Sequence, residues 1–186
     1  TENLLDRHLP HRADQIAFYW EPNHPSDEAK TITYGELHKE VCKFSNGLKS
    51  LGVKKGDRIC IYMPMVLEAT IAILACARIG AVHSIVLAGF SSNALADRIN
   101  DADAKIVITS DGLNRGDKQV DLKTMVDEAV LNCPSIEHVI VLDCIHSSPT
   151  MNSIDVYYHD LMKNQSEDCI AETMDSEDLL FILYTS

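Results

Sequence analysis

The chain has 186 residues, of which 46% are hydrophobic and 24% are charged, and its formal net charge at pH 7 is −12. This length suits one globular domain with a real core, and the composition excludes global disorder. The excess of acidic residues disfavours nucleic acid and anionic membranes as partners, because both would repel the chain. We therefore expect a globular protein that binds neither nucleic acid nor a membrane.

The six cysteines lie far apart and form no C-x-x-C pair. This spacing is typical of reduced, mostly buried thiols rather than of a disulfide framework or a zinc site. The longest apolar stretch, "TIAILACA", is shorter than the roughly 20 residues that span a bilayer. The chain opens at Thr1 without a secretory signal, so we expect a cytoplasmic location unless processing removed such a segment.

Strand and helix patterns alternate from Lys30 onward. A β-branched run predicts a short strand over Thr31 to Thr33. Thr33 and Glu36 have the spacing of a capping box, which predicts the start of a helix that ends at Gly52. The series continues with the strand "DRICIYM", the helix "VLEATIAILACARIG", the strand "VHSIVL", the loop "AGFSS", the helix "NALADRINDA", the strand "KIVITS", the loop "DGLNRGDK", the helix "LKTMVDEAVLN" and the strand "HVIVLD".

These strands are rich in Val and Ile and do not alternate with polar residues, as expected of parallel strands covered on both faces. The repeated β-α-β order predicts an α/β fold with a doubly wound, mostly parallel sheet and helices on both faces. After Cys144 the sequence is more polar, with one helix predicted around Val156 to Lys163. A last strand, "LLFILYTS", is predicted to end the chain.

Ligands of such sheets bind at the carboxyl ends of the strands, which directs attention to the loops that follow them. The first loop runs from Ala88 to Ser92. Gly89 lets a ligand approach the backbone, and Ser91 or Ser92 can cap the next helix, whose amino terminus suits phosphate. A tight turn without a ligand is the alternative.

The second loop runs from Asp111 to Lys118 and carries two cations, Arg115 and Lys118. Because loops of successive β-α units often lie side by side, a phosphate can meet these cations while an attached flat group rests on Gly89. The alternative is a solvated turn whose cations pair with Asp111 and Asp117.

The third candidate is the strand end at Thr185 and Ser186, where a phosphate-binding loop can begin or where two hydroxyls simply end a strand. No dinucleotide, P-loop, hydrolase or zinc-protease motif is present in the sequence. Catalytic residues therefore stay unassigned, and no metal site is expected within the chain.

The segments "YMPM", "ACARIGAVHS", "AGFS" and "LFILYTS" resemble the amino-terminal part of the acyl-adenylate-forming, or AMP-binding, enzymes. The resemblance extends from about Asn3 to Ser186. It implies that residues 1–186 are a fragment of the large amino-terminal domain, ending just before the loop that holds the ATP phosphates. Thr185 and Ser186 are then the first members of that loop.

The resemblance implies a two-step reaction in which ATP and a carboxylate give an acyl-adenylate, and CoA then takes the acyl group. Acetate is the expected acid, and Mg²⁺ accompanies ATP in the full-length enzyme. The family's CoA-binding positions match Ala88, Gly89, Arg115, Gly116, Asp117 and Lys118. Two departures are Leu87, where many relatives have phenylalanine, and Lys118, where many have a second arginine that would offer a bidentate fork.

Three functions are compatible with these residues. The first is a fragment of an ATP-dependent acetate–CoA ligase, inactive by itself because the acid pocket, the metal positions and most of the adenine site fall after Ser186. The second is a ligase for propionate or another short-chain acid. The third is a non-catalytic CoA-binding module.

Overall fold

In the computed structural model of the chain, residues 1–23 and 28–184 are described. The strands are β1 (Ile16–Trp20), β2 (Lys30–Thr33), β3 (Arg58–Tyr62), β4 (Val82–Ile85), β5 (Ile106–Ser110), β6 (Gly112–Arg115), β7 (Lys118–Asp121), β8 (His138–Leu142), β9 (Asp155–Tyr157) and β10 (Phe181–Ile182). The helices are α1 (Leu9–Arg12), α2 (Tyr34–Ser50), α3 (Leu67–Arg78), α4 (Ser92–Ala102), α5 (Leu122–Val130) and α6 (Tyr158–Met162), with a single 3-10 turn at Asp6–His8.

Within the described residues, six strands form the main sheet in the order β10-β4-β3-β5-β8-β9, and every neighbouring pair is parallel. The chain moves from β3 to β4 in one direction and then crosses back over β3 to reach β5. This reversal is the mark of a doubly wound sheet. The predicted fold class is confirmed.

Alternate residues of each central strand point to opposite faces of the sheet, and each face is covered by helices. On one face Ile59 and Ile61 of β3 pack in a core with helices α2, α3 and α6. On the other face Cys60 and Tyr62 pack with helices α4 and α5. Because both faces are buried, apolar residues are needed at consecutive positions, which explains the Val and Ile runs.

Side-chain caps begin helices α2 and α4. Thr33 and Glu36 form the predicted capping box at the start of α2. The Ser91 hydroxyl accepts from the Ala94 N–H at 3.3 Å, so Ser91 rather than Ser92 caps α4. Among the described residues no helix combines the length and the apolar character needed to cross a membrane.

The six thiols are free in the structure, and five of them are buried. Burial raises the pKa of Cys60 and the pKa of Cys76 to about 12, so both thiols stay protonated. The burial of five thiols agrees with the expectation of mostly buried cysteines.

The type or the ends of three predicted segments differ in the structure. The segment "DGLNRGDK", predicted as a loop, forms most of an antiparallel hairpin of β6 and β7. The helix predicted around Val156 to Lys163 is divided between strand β9 and the shorter helix α6. The final strand includes only Phe181 and Ile182 instead of the whole apolar run.

Strand β10 leaves an apolar edge exposed. Its outer side pairs with no strand of the described residues, and the exposed fractions of Leu180 and Leu183 are 52% and 61%. We expect the 186-residue chain to self-associate through this edge in sedimentation velocity experiments. Replacing Leu180 and Leu183 together by lysine should restore a monomer, whereas Leu131→Lys, at an isolated exposed leucine, should not. A chain that stays monomeric as its concentration rises would contradict this expectation.

Candidate functional site

The loops singled out from the sequence lie at the carboxyl edge of the main sheet. The turn with Ala88 and Gly89 follows β4, and the β6–β7 hairpin follows β5. Strand β3 separates β4 from β5, so the two loops share an edge but follow strands that are not adjacent, and their direct contact stays a prediction. Tyr62 at the end of β3 lies between them in the strand order.

Gly89 occupies the third position of a tight turn in which the Phe90 N–H donates to the Leu87 carbonyl oxygen at 3.2 Å. Its φ of +97° is in the left-handed region that favours glycine. A Cβ built on Gly89 would meet no atom within 4 Å, so one side of this backbone is open. Leu87, with an exposed fraction of 66%, lies beside it. The turn therefore offers an open, flat backbone surface next to an apolar side chain.

The buried Tyr62 side chain supports this turn from below. Its hydroxyl donates to the Phe90 carbonyl oxygen at 2.7 Å and accepts from the Gly89 N–H at 3.0 Å. Burial raises the pKa of Tyr62, more than the hydrogen bond from Gly89 lowers it, so the hydroxyl remains a donor. Sequence reasoning missed this role, because no local spacing links a strand residue to a turn 27 positions later.

Arg98 of α4 connects the same turn to the end of β10. Its guanidinium carbon lies 5.0 Å from the ring centre of Phe90 and 5.3 Å from that of Tyr184. The Tyr184 hydroxyl donates to Asp101 Oδ2 at 2.6 Å. A cation–π contact of this kind stabilises the arrangement by about 0.5–1 kcal/mol at exposed sites. Tyr184 directly precedes Thr185, which lies outside the described residues together with Ser186.

The hairpin presents two cations on one of its faces. Arg115 and Lys118 are directly opposite each other in the register, so their side chains project to the same side. Gly116, with a φ of +60°, and Asp117 form the two-residue loop between them, and all four residues are exposed. In the described part of the chain neither cation forms a salt bridge with Asp111 or Asp117. Opposed like charges repel each other, and a bound anion would relieve that repulsion.

Asp111 anchors the base of the hairpin instead of neutralising it. The carboxylate is buried, and its Oδ1 accepts from the N–H groups of Gly112, Cys144 and Ile145 at 2.8–3.0 Å. Its Oδ2 accepts from the Ser147 N–H at 2.9 Å and from the Ser147 hydroxyl at 3.1 Å. The alternative in which Asp111 pairs with the loop cations is wrong, because its oxygens serve the segment that follows β8.

Two recesses among the described residues do not include these loops. They have volumes of about 540 and 220 Å³: the larger includes Lys30 and Glu40, and the smaller includes Gly80 and Leu180. Across residues 1–23 and 28–184 no group of three or more His, Cys, Asp or Glu side chains is arranged to hold a metal ion. The site is therefore an open surface that suits a flat group and an anion.

The arrangement defines a doubly wound α/β protein with an open turn and a two-cation hairpin at the carboxyl edge of its sheet. The chain belongs to the AMP-binding enzyme family, whose model matches residues 5–186. Over 185 residues it is 55% identical to an acetyl-coenzyme A synthetase of Gamma-proteobacterium EBAC31A08 and 52% identical to acetyl-coenzyme A synthetase 2 of Pseudomonas aeruginosa strain PAO1. These matches cover 99% of this chain but only 29% and 28% of the two relatives.

An acetyl-coenzyme A synthetase of Nostoc linckia is 50% identical over 187 residues, which is 55% of that relative. Among solved structures, an acetoacetyl-CoA synthetase from Streptomyces lividans superposes with a TM-score of 0.87 at 25% identity, over 96% of this chain and 27% of that one. The fold is therefore shared with a much longer protein.

Proposed function

We propose that this chain is the amino-terminal part of an ATP-dependent acetate–CoA ligase. The names of relatives that are 50–55% identical support acetate as the acid. In the proposed reaction an acetate oxygen attacks the α-phosphorus of ATP, and the bond to pyrophosphate breaks. The CoA thiol then attacks the carbonyl carbon of acetyl-adenylate, loses its proton and displaces AMP.

We propose that the carboxyl edge of the sheet binds CoA. The observation that carries this assignment is the pair of exposed cations, Arg115 and Lys118, opposite each other in a chain of net charge −12. A phosphate of CoA would bind between them, with the backbone N–H groups of Gly116 and Asp117 nearby. The adenine would lie on the open backbone of Ala88 and Gly89, beside Leu87. Such a ligand needs both an anion site and a flat surface.

ATP would bind where Thr185 and Ser186 begin the phosphate loop expected from the resemblance. Mg²⁺ would arrive as part of the nucleotide substrate, and no metal ligand is proposed among the described residues. We also propose a cytoplasmic location, in which the six thiols would remain reduced.

The test uses the full-length protein of the same gene and the 186-residue chain in parallel. The full-length protein should catalyse acetate-dependent exchange of pyrophosphate into ATP and, with CoA added, form acetyl-CoA and AMP. The 186-residue chain should do neither. Activity of the short chain would refute the fragment proposal, and absence of CoA-dependent turnover in the long one would refute the ligase.

The same assay with propionate and acetoacetate determines which acid the full-length protein prefers. Acetoacetate is included because of the name of the structural neighbour from Streptomyces lividans. A higher kcat/KM for acetate than for the other two acids would support the proposal, whereas a preference for propionate would assign another short-chain acyl-CoA synthetase.

A further inference from the structure

We propose that Tyr62 is a positioning residue for CoA, because its hydroxyl holds the Gly89 turn in the shape that receives the adenine. This inference rests on the proposed function and adds a residue to it. Tyr62 does not touch the ligand surface itself. It acts through the two backbone groups that it binds.

The geometry explains why a hydroxyl is needed at this point. The Gly89 N–H and the Phe90 carbonyl belong to consecutive residues, and the Tyr62 oxygen bonds to both, at 3.0 and 2.7 Å. A single group that both accepts and donates is required, and a phenol hydroxyl satisfies this requirement. The two bonds therefore fix the orientation of two peptide groups, the one that precedes Gly89 and the one that follows Phe90.

The position of Tyr62 makes the support rigid. The residue ends β3, which lies inside the sheet between β4 and β5, and its side chain is fully buried against α4 and α5. Met125 Sδ of α5 lies 3.4 Å from the hydroxyl oxygen. The Tyr62 ring therefore has little room to move. Its hydroxyl holds the otherwise exposed turn at a fixed position relative to the sheet.

The chain contains a matched control. Tyr158 is also almost fully buried, but it packs on the opposite face of the sheet against Phe44, with ring centres 4.6 Å apart. Its hydroxyl has no hydrogen-bond partner in the described structure. Tyr158→Phe thus removes the same atom as Tyr62→Phe without removing a bond.

In the full-length protein, Tyr62→Phe should raise the KM for CoA about three- to tenfold, the effect of losing one to two ordinary hydrogen bonds. It should leave kcat and acetate-dependent pyrophosphate exchange within about twofold, because the first half-reaction does not use CoA. Tyr158→Phe should change none of these values. Equal behaviour of the two variants, or a parallel loss of exchange in Tyr62→Phe, would overturn the positioning role.

Arg115→Ala separates failure of this inference from failure of the proposed function. If Arg115→Ala raises the KM for CoA and Tyr62→Phe does not, the CoA site stands and the role of Tyr62 is wrong. If neither variant changes that KM, the CoA site itself is wrong.

Hydrogen exchange of the unsubstituted chain tests the same contact, and its result does not depend on whether a variant folds. The Gly89 amide, bonded to the Tyr62 hydroxyl, should exchange its hydrogen at least about tenfold more slowly than the Gly116 amide at the hairpin tip. Tyr62→Phe should remove this protection and Tyr158→Phe should keep it. Similar exchange rates of Gly89 and Gly116 in the unsubstituted chain would overturn the proposal.

Discussion

Arg115→Ala should raise the KM for CoA of the full-length protein about tenfold to a hundredfold while acetate-dependent pyrophosphate exchange stays nearly intact. A hydrogen bond to a charged group contributes about 1.5–3 kcal/mol, and each 1.4 kcal/mol corresponds to a factor of ten. Arg115 is exposed on the hairpin and opposes a second cation, so its charge would be available to a bound CoA phosphate. In the proposed reaction the first step proceeds without CoA, so it should not respond to this loss.

Two further variants sharpen the Arg115 experiment. Arg115→Lys keeps the charge but loses the bidentate fork, so its KM should fall between those of the unsubstituted protein and the alanine variant. Arg12→Ala removes the same charge from an exposed position on the short helix α1 and should leave the KM unchanged. Equal loss of exchange and of CoA-dependent turnover in Arg115→Ala would contradict the assignment.

The architecture was predictable because the signals for it are local. Runs such as "RICIY" and "HVIVL" show a strand covered on both faces, and the caps at Thr33 and Ser91 depend on residues three positions apart. Each of these features is decided within a few residues of sequence. The order of helices α2 to α5 and of the central strands β3, β4, β5 and β8 was therefore predicted correctly, although several element ends were not.

The missed elements lack such local signals. Strands β6 and β7 contain polar, mostly exposed residues without alternation, so their pairing comes from the hairpin turn at Gly116 and from the anchored Asp111. The last strand was predicted from a run of apolar residues, but only two of these residues, Phe181 and Ile182, pair with strand β4. Strand β1 was not anticipated at all, and it pairs with β2 outside the main sheet.

The candidate site divides in the same way. Gly89, Arg115 and Lys118 could be selected from their residue types and from their positions after strands. The support beneath them, Tyr62 and Asp111, could not, because both act through contacts with distant segments. Tyr62 bonds to the turn after the neighbouring strand, and Asp111 bonds to residues 33–36 positions away. These contacts depend on the order of the strands in the sheet, and that order cannot be predicted from the spacing of residues in the sequence.

Asp111→Asn should lower the free energy of unfolding by about 3 kcal/mol at neutral pH, since a buried carboxylate that accepts several hydrogen bonds is replaced by an amide. The amide nitrogen would face N–H donors of Gly112, Ile145 or Ser147, and at least one of them would lose its acceptor. Urea denaturation measures the change. Asp14→Asn, at an exposed carboxylate, is the control and should stay within about 0.5 kcal/mol.

The stability difference between the unsubstituted chain and Asp111→Asn should also depend on pH. Burial by itself would raise the pKa of Asp111, but the hydrogen bonds from the Ser147, Cys144 and Ile145 N–H groups outweigh it and lower the pKa below its usual value. The folded state therefore stabilises the charged form of Asp111 more than the unfolded state does, in which an aspartate has a pKa of about 3.9. The difference should be constant from pH 7 to about pH 5 and should narrow as the pH falls below about 4 and through the lowered pKa. A difference that stays unchanged in acid, or that grows there, would show that the Asp111 charge does not stabilise the hairpin base.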